Sequence, residues 1–228
     1  MEIDKSAAKA YFSNNKYFAD ACNYVLNDGE EIIKPEELKD IDTADWEFCC
    51  EEPVREMLKN TIDVMKLYET EGKGKAVFIL SYQGIVGDET SILVFLACVV
   101  GYINQLIEIA RSGKCNEPLE VRDGFMEISE AFEICGLLPV IVIVIYTGDE
   151  YWDVVEDLQE LFAMNDEGEV PSFPKSRMSF IFPSDMNQED FAKFHTDLGK
   201  VLEAIKRKSS DLPEALDEAS AAFLSALA

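Results

Sequence analysis

The sequence has six cysteines and one histidine, and their spacing matches no common catalytic or zinc-binding motif. The six cysteines include no C-x-x-C pair, whereas zinc sites usually need paired ligands at short spacing. The single histidine, His195, has no serine, aspartate or cysteine partner in a recognisable catalytic arrangement, so we expect a surface or half-buried side chain. The sequence also lacks P-loop, G-x-G-x-x-G and G-x-S-x-G motifs. These observations argue against zinc, nucleotide-binding and serine-hydrolase chemistry.

The polar end of one apolar strand is a further place to look for chemistry. Residues 76–80, "AVFIL", predict a buried strand, and Ser81, Tyr82 and Gln83 follow it directly. By residue type alone, a polar residue that ends a strand is most often a surface residue. A chemical role for this segment therefore depends on its similarity to known sites.

The net charge weighs against tight, unaided binding to nucleic acid. The chain has 20 Lys and Arg against 45 Asp and Glu, which gives a formal net charge of −25. Nucleic-acid-binding proteins usually show a basic stripe, because release of counterions from phosphate drives much of their binding. The densest basic cluster here is 206–208, near a predicted helix end, where cations also complement the helix dipole. The composition favours a soluble protein, or one that needs divalent cations to approach a polyanion.

The hydrophobic segments predict a cytoplasmic protein without a membrane partner. The N-terminal residues lack the basic and apolar regions of a secretory signal. The longest apolar run, 92–103, is too short to span a bilayer, so we interpret it as a core helix. Free thiols without a disulfide pattern also fit a reducing compartment.

Hydrophobic periodicity predicts an α/β fold with a small mixed sheet and helices on both sides. The strongest strands are 76–80, 178–182 and the β-branched run within 137–148. The predicted helices are 5–27 with a break near Asn14, a segment from Pro53 to Met65 for part of which a strand is possible, 87–112, a helix through Cys135, 150–164, 187–208 and 213–227. We expect one domain over 1–210, followed by a helical extension over 211–228.

Three stretches, taken in order, resemble the PD-(D/E)XK nuclease family transposases, close to the recombination-promoting nuclease (Rpn) group. They are 11–43, which contains a helix, an "NDG" turn and "IIKPEEL"; 137–162, an apolar strand followed by "YTGDEYWD"; and 178–206, a final strand and helix. The resemblance implies a restriction-endonuclease-like core with additional N- and C-terminal helices. It also implies a metal site at the edge of the sheet, where acidic side chains hold Mg²⁺ for phosphodiester cleavage.

The resemblance assigns three site positions, and together they form a degenerate catalytic motif. Within "REMLK", the family's first acid corresponds to Glu56, which is thus the candidate metal ligand and reaches one methylene further than Asp. Within "ILSYQ", the second acid corresponds to Ser81, and the residue that positions water corresponds to Gln83. A neutral hydroxyl is a poor ligand for Mg²⁺, which needs hard oxygen donors. Asp88 and Glu89 could in principle replace the lost acid, and Asp63 is a further candidate for the first acid if the alignment is shifted.

Two functions follow from these observations. The first is a transposase-associated, Mg²⁺-dependent DNA endonuclease, inactive or impaired because Ser81 replaces an acid; Mg²⁺ is the expected cofactor only if activity persists. The second is a non-catalytic binding or regulatory protein that acts through a protein partner or as a homo-oligomer. DNA is a partner by resemblance only, and the acidic charge weakens that expectation.

Overall fold

A five-stranded sheet runs through the residues that the computed structural model describes, which are 5–41, 51–70, 74–87, 89–112, 137–152, 178–208, 213 and 215–227. In sheet order the strands are β1 (Leu38–Asp40), β2 (Val64–Thr70), β3 (Gly74–Gln83), β4 (Val140–Tyr146) and β5 (Met178–Ile181). The pairs β1–β2 and β2–β3 are antiparallel, whereas β3–β4 and β4–β5 are parallel. The mixed α/β sheet predicted from the sequence is therefore present.

The helices of the described segments begin and end at recognisable local signals. They are α1 (Lys5–Ser13), α2 (Asn15–Asn27), α3 (Val54–Thr61), α4 (Thr90–Ser112), α5 (Gln188–Phe191), α6 (Leu198–Arg207) and α7 (Glu218–Leu227), with a 3₁₀ turn at Pro35–Glu37. Asn14 separates α1 from α2 as predicted, and its side chain accepts a hydrogen bond from the Lys16 N–H at 3.0 Å. The α2 helix stops at the predicted turn, where Asp28 and Gly29 have φ of 52° and 88°.

Side chains of the central strands alternate between two hydrophobic cores, one on each face of the sheet. On the first face, Phe78, Leu80 and Ile143 pack with α1, α2, α6 and α7. On the second face, Ile79 and Val142 pack with α3 and α4. Burial on both faces explains why β4 is a continuous β-branched apolar run.

The α4 helix packs by one face on the second core, in agreement with the core-helix prediction. Val94, Ala97 and Val100 are buried there, and Gly101 lets the helix approach the sheet, because an added Cβ would come within 2.7 Å of Val140 Cγ1. The window Thr90–Glu108 also has the length and hydropathy of a membrane span, and 39% of it is buried within the fold.

The structure settles one open prediction and corrects another. The segment from Pro53, predicted as a helix with a possible strand, is helical to Thr61, and Met65 belongs to β2. A 3₁₀ turn of three residues after Pro35 precedes β1. The predicted helix 187–208 is two helices, because the buried carboxylate of Asp20 binds the backbone of the segment between them.

Some predictions fall on residues outside the described set. The helix through Cys135 lies there, as do most of the helix 150–164 and residues 42–50 of a possible linker or edge strand. The C-terminal extension predicted for 211–228 contains α7, which packs against α1. Tyr11 hydrogen bonds to Ser220 at 3.0 Å and stacks on Phe223 with ring centroids 4.6 Å apart. The α7 helix therefore shares the first core with α1.

Candidate functional site

Ser81 and Gln83 lie together at the C-terminal end of β3. Their side chains are on the same face of the strand, and Gln83 Nε2 donates a hydrogen bond to Ser81 Oγ at 2.6 Å. Both residues are buried, with Ser81 fully enclosed at 0% exposure. They pair with Val144 and Tyr146 of β4, and the Thr147 N–H donates to Gln83 O at 2.8 Å. The motif positions are thus fixed within the sheet.

Asp63 is the buried acid that stands beside this strand end. It lies between α3 and β2, one residue before the pair Val64–Leu80, so it is opposite Ser81. Its N–H donates to Leu80 O at 3.1 Å, and its carboxylate accepts a hydrogen bond from the Tyr82 N–H at 2.6 Å. This residue is the alternative first acid of a shifted alignment.

Glu56, the acid assigned by the resemblance, lies elsewhere. It is exposed in the first turn of α3, where its N–H donates to Glu52 Oε2 at 3.3 Å. Of the two acids considered as replacements for the acid that the resemblance expects at position 81, Glu89 is exposed just before α4, and Asp88 lies outside the described residues. The structure therefore brings Ser81, Gln83 and Asp63 to one strand end and leaves Glu56 on the surface of α3.

Lys5, which sequence reasoning did not single out, completes this arrangement. Its Nζ donates to the carbonyl oxygen of Tyr82 and lies 3.6 Å from Asp63 Oδ2. The Asp63 side chain is 4% exposed and that of Lys5 is 32% exposed, so the ion pair closes the site toward α1. Lys5 and Tyr82 are 77 residues apart, so no local sequence pattern predicts their contact. The sequence does mark Asp63, because it places a charged residue between the apolar residues Ile62 and Val64.

Burial sets the electrostatics of this cluster. Loss of hydration raises the pKa of Asp63 to about 6, against the opposing effects of Lys5, the Tyr82 N–H and Lys9. Burial likewise lowers the pKa of Lys5, and Asp63 opposes that change. The Tyr82 phenol points away from solvent and accepts a hydrogen bond from Thr147 Oγ1 at 3.1 Å; burial raises its pKa to about 12.

The donor set at this strand end does not fit Mg²⁺. It offers one carboxylate, which already binds a backbone N–H and an ammonium, and one neutral hydroxyl, which already accepts from an amide. Mg²⁺ requires near-octahedral hard oxygen ligands, and a single buried carboxylate that is already paired with an ammonium does not supply them. No group of three or more His, Cys, Asp or Glu that could hold a metal occurs in the described parts of the chain. The arrangement can instead join α1, β2 and β3 through buried polar contacts.

Among the described residues, His195 and Cys22 have structural roles outside this site. His195 donates through its N–H to Asp20 Oδ1 at 3.0 Å, and its Nε2 donates to Gly29 O at 2.8 Å. Cys22 is fully buried, and burial raises the pKa of its thiol, so it acts as a small apolar residue. Cys98 on α4 is half-buried.

A cavity of about 460 Å³ opens beyond the end of β4. Its lining includes both aromatic and acidic residues: Tyr146, Trp152, Phe180 and Phe182, with Asp149, Glu150 and Asp185. Tyr151, also in the lining, is 87% exposed. Asp149 of this lining pairs with Lys208 at 2.6 Å.

Comparisons with known proteins do not place this chain in a family. Scans against protein-family models, curated proteins and solved structures found no match.

Proposed function

We propose that this chain is a transposase-associated, PD-(D/E)XK nuclease-like protein of the cytoplasm that has lost metal-dependent cleavage and acts by binding. The observation that carries the proposal is the state of the motif positions. Ser81 stands at the position of an acid and is fully buried, and its hydroxyl is bonded to Gln83. The mixed sheet with helices on both faces agrees with the core that the resemblance implies.

Solvent access supports the same proposal. A phosphodiester must reach the metal ligands directly, yet Asp63, Ser81 and Gln83 are each at most 7% exposed. A buried carboxylate that faces an ammonium is also poorly prepared to attract a second cation. DNA approach is further opposed by the net charge of −25.

A nuclease assay tests the loss of cleavage. Purified protein is incubated with supercoiled plasmid and either Mg²⁺ or Mn²⁺, beside the variants Asp63→Asn and Glu56→Ala. We expect no nicking by the wild type above the level of either variant. Metal-dependent cutting that Asp63→Asn or Glu56→Ala abolishes would contradict the proposal.

The aromatic cavity favours a protein partner as the ligand. Its acidic lining residues and exposed Tyr151 offer apolar and cation–π contacts of the kind that Lys or Arg side chains use. We expect Tyr151→Ser to remove a partner that co-purifies from native cells, whereas Ile85→Ser, at another exposed apolar residue, retains it. Equal retention of the partner by both variants would exclude this cavity as the docking site. Light scattering of the purified protein checks for self-association.

A further inference from the structure

Lys5 holds an unusual position, because its ammonium lies between two oxygens at the end of β3. It donates to the Tyr82 carbonyl and pairs with Asp63 Oδ2 at 3.6 Å. Tyr82 therefore contributes twice to this place: its N–H binds the carboxylate and its carbonyl binds the ammonium. A buried carboxylate with a single hydrogen-bonded N–H needs a further positive partner, and Lys5 supplies it.

The position of Lys5 is fixed by packing on α1. Ala8, Tyr11 and Phe12 follow within two turns and are buried in the first core, so the start of the helix is held against the sheet. Exposed ion pairs contribute little because both side chains stay hydrated and mobile. In this pair, by contrast, the carboxylate is 4% exposed, and a second lysine of the same helix, Lys9, also acts on it electrostatically.

We infer that the Lys5 ammonium is the resident cation of this site, occupying the place between the Asp63 carboxylate and the Tyr82 carbonyl that a divalent ion would need. The inference rests on the proposed function and specifies how the site is kept free of metal. An ammonium is a compact point charge with three donors, so it satisfies hard oxygens without the octahedral ligand set that Mg²⁺ demands. A neutral side chain at position 5 would leave the acid available to a cation from solution.

Binding of Mn²⁺ alone, measured by electron paramagnetic resonance at pH 7.5, tests this inference. We expect Lys5→Met to bind Mn²⁺ at least about tenfold more tightly than the wild type, and Lys5→Met/Asp63→Asn to lose that gain. Lys9→Met is the matched control, because it removes a lysine one turn further along α1 that acts on Asp63 only through its charge, and we expect its gain in Mn²⁺ affinity to stay well below that of Lys5→Met. A Lys5→Met variant that binds no better than the wild type, or a gain that survives Asp63→Asn, would overturn the inference.

A double-mutant cycle in urea provides a second readout that needs no metal. Lys5→Met leaves the buried Asp63 carboxylate without its ammonium partner, whereas Lys5→Met/Asp63→Asn has no carboxylate at this position. We therefore expect the double variant to unfold at a higher urea concentration than Lys5→Met alone. Additive effects of the two substitutions would reject the pairing. These results are independent of the nuclease assay: a wild type that cuts DNA contradicts the proposed function, whereas additive variants of a non-cutting protein contradict only the role of Lys5.

Discussion

Two buried aspartates, Asp20 on α2 and Asp63 before β2, are held by different kinds of partner. Asp20 accepts from two backbone N–H groups, of His195 at 3.0 Å and Thr196 at 2.9 Å, and from the Thr196 hydroxyl. Asp63 accepts from one backbone N–H and faces the Lys5 ammonium. The two residues are almost equally enclosed, at 4% and 6% exposure. Burial therefore does not distinguish Asp20, a structural clamp that holds backbone N–H groups, from Asp63, a charge site paired with an ammonium. The hydrogen-bond donors around each carboxylate do distinguish them.

The largest expected change in stability follows substitution of Asp20, the structural clamp. Asp20→Ala leaves buried donors without an acceptor and releases the segment between α5 and α6, so we expect the free energy of unfolding to fall by about 3 to 4 kcal/mol. Asp20→Asn keeps one acceptor oxygen and should lose less. Urea unfolding followed by circular dichroism measures both variants. Equal, small losses would show that the helix break does not depend on this carboxylate.

The second largest effect is the pH dependence of stability that Asp63, the charge site, produces. The pKa of Asp63 is raised from 3.8 to about 6 in the folded protein, so the folded state binds more protons than the unfolded chain between these values. This contribution to stability is complete below pH 4 and is lost as the pH rises through 6. We expect the wild type to lose about 2 to 3 kcal/mol relative to Asp63→Asn between pH 4 and 7.

Unfolding measured at intervals across that pH range checks this prediction. Asp185→Asn, at an exposed aspartate, serves as the control for a general change of charge. Parallel pH profiles for the wild type and Asp63→Asn would mean that the carboxylate is hydrated, and the contrast with Asp20 would then disappear.

The smallest effect concerns the neutral pair beside Asp63. Ser81→Ala removes the acceptor of the Gln83 amide, and we expect a loss of about 1 kcal/mol. The double variant Ser81→Ala/Gln83→Met removes both polar partners and should recover part of that loss, because no buried group is left unpaired. A double variant less stable than Ser81→Ala would contradict a simple hydrogen-bonded pair.

Local sequence patterns predicted most of the described sheet but not all of its strands. The β4 strand was predictable because its run of Val and Ile is apolar on both faces. For the β2 strand the sequence left helix and strand open, since Met65 continues the helical spacing of α3. The break between α5 and α6 depends on Asp20, 175 residues away from His195, so no local pattern contains it.

The candidate site shows the same division between local and distant information. Ser81 and Gln83 are two residues apart on one strand, and their pairing in space follows from that spacing. The choice between Glu56 and Asp63 depends on where α3 ends, and helix ends are weakly specified by sequence. The contact with Lys5 arises only when α1 packs across the sheet.

The α7 helix packs on α1 and so affects the position of the residues at the start of α1. Tyr11 is stacked between Tyr17 and Phe223, less than two turns from Lys5, so loss of α7 uncovers the apolar face that holds α1 in place. A ligand that displaces α7 would loosen the ammonium from its carboxylate without touching either group. The α7 helix thus helps to hold the start of α1 against the first core.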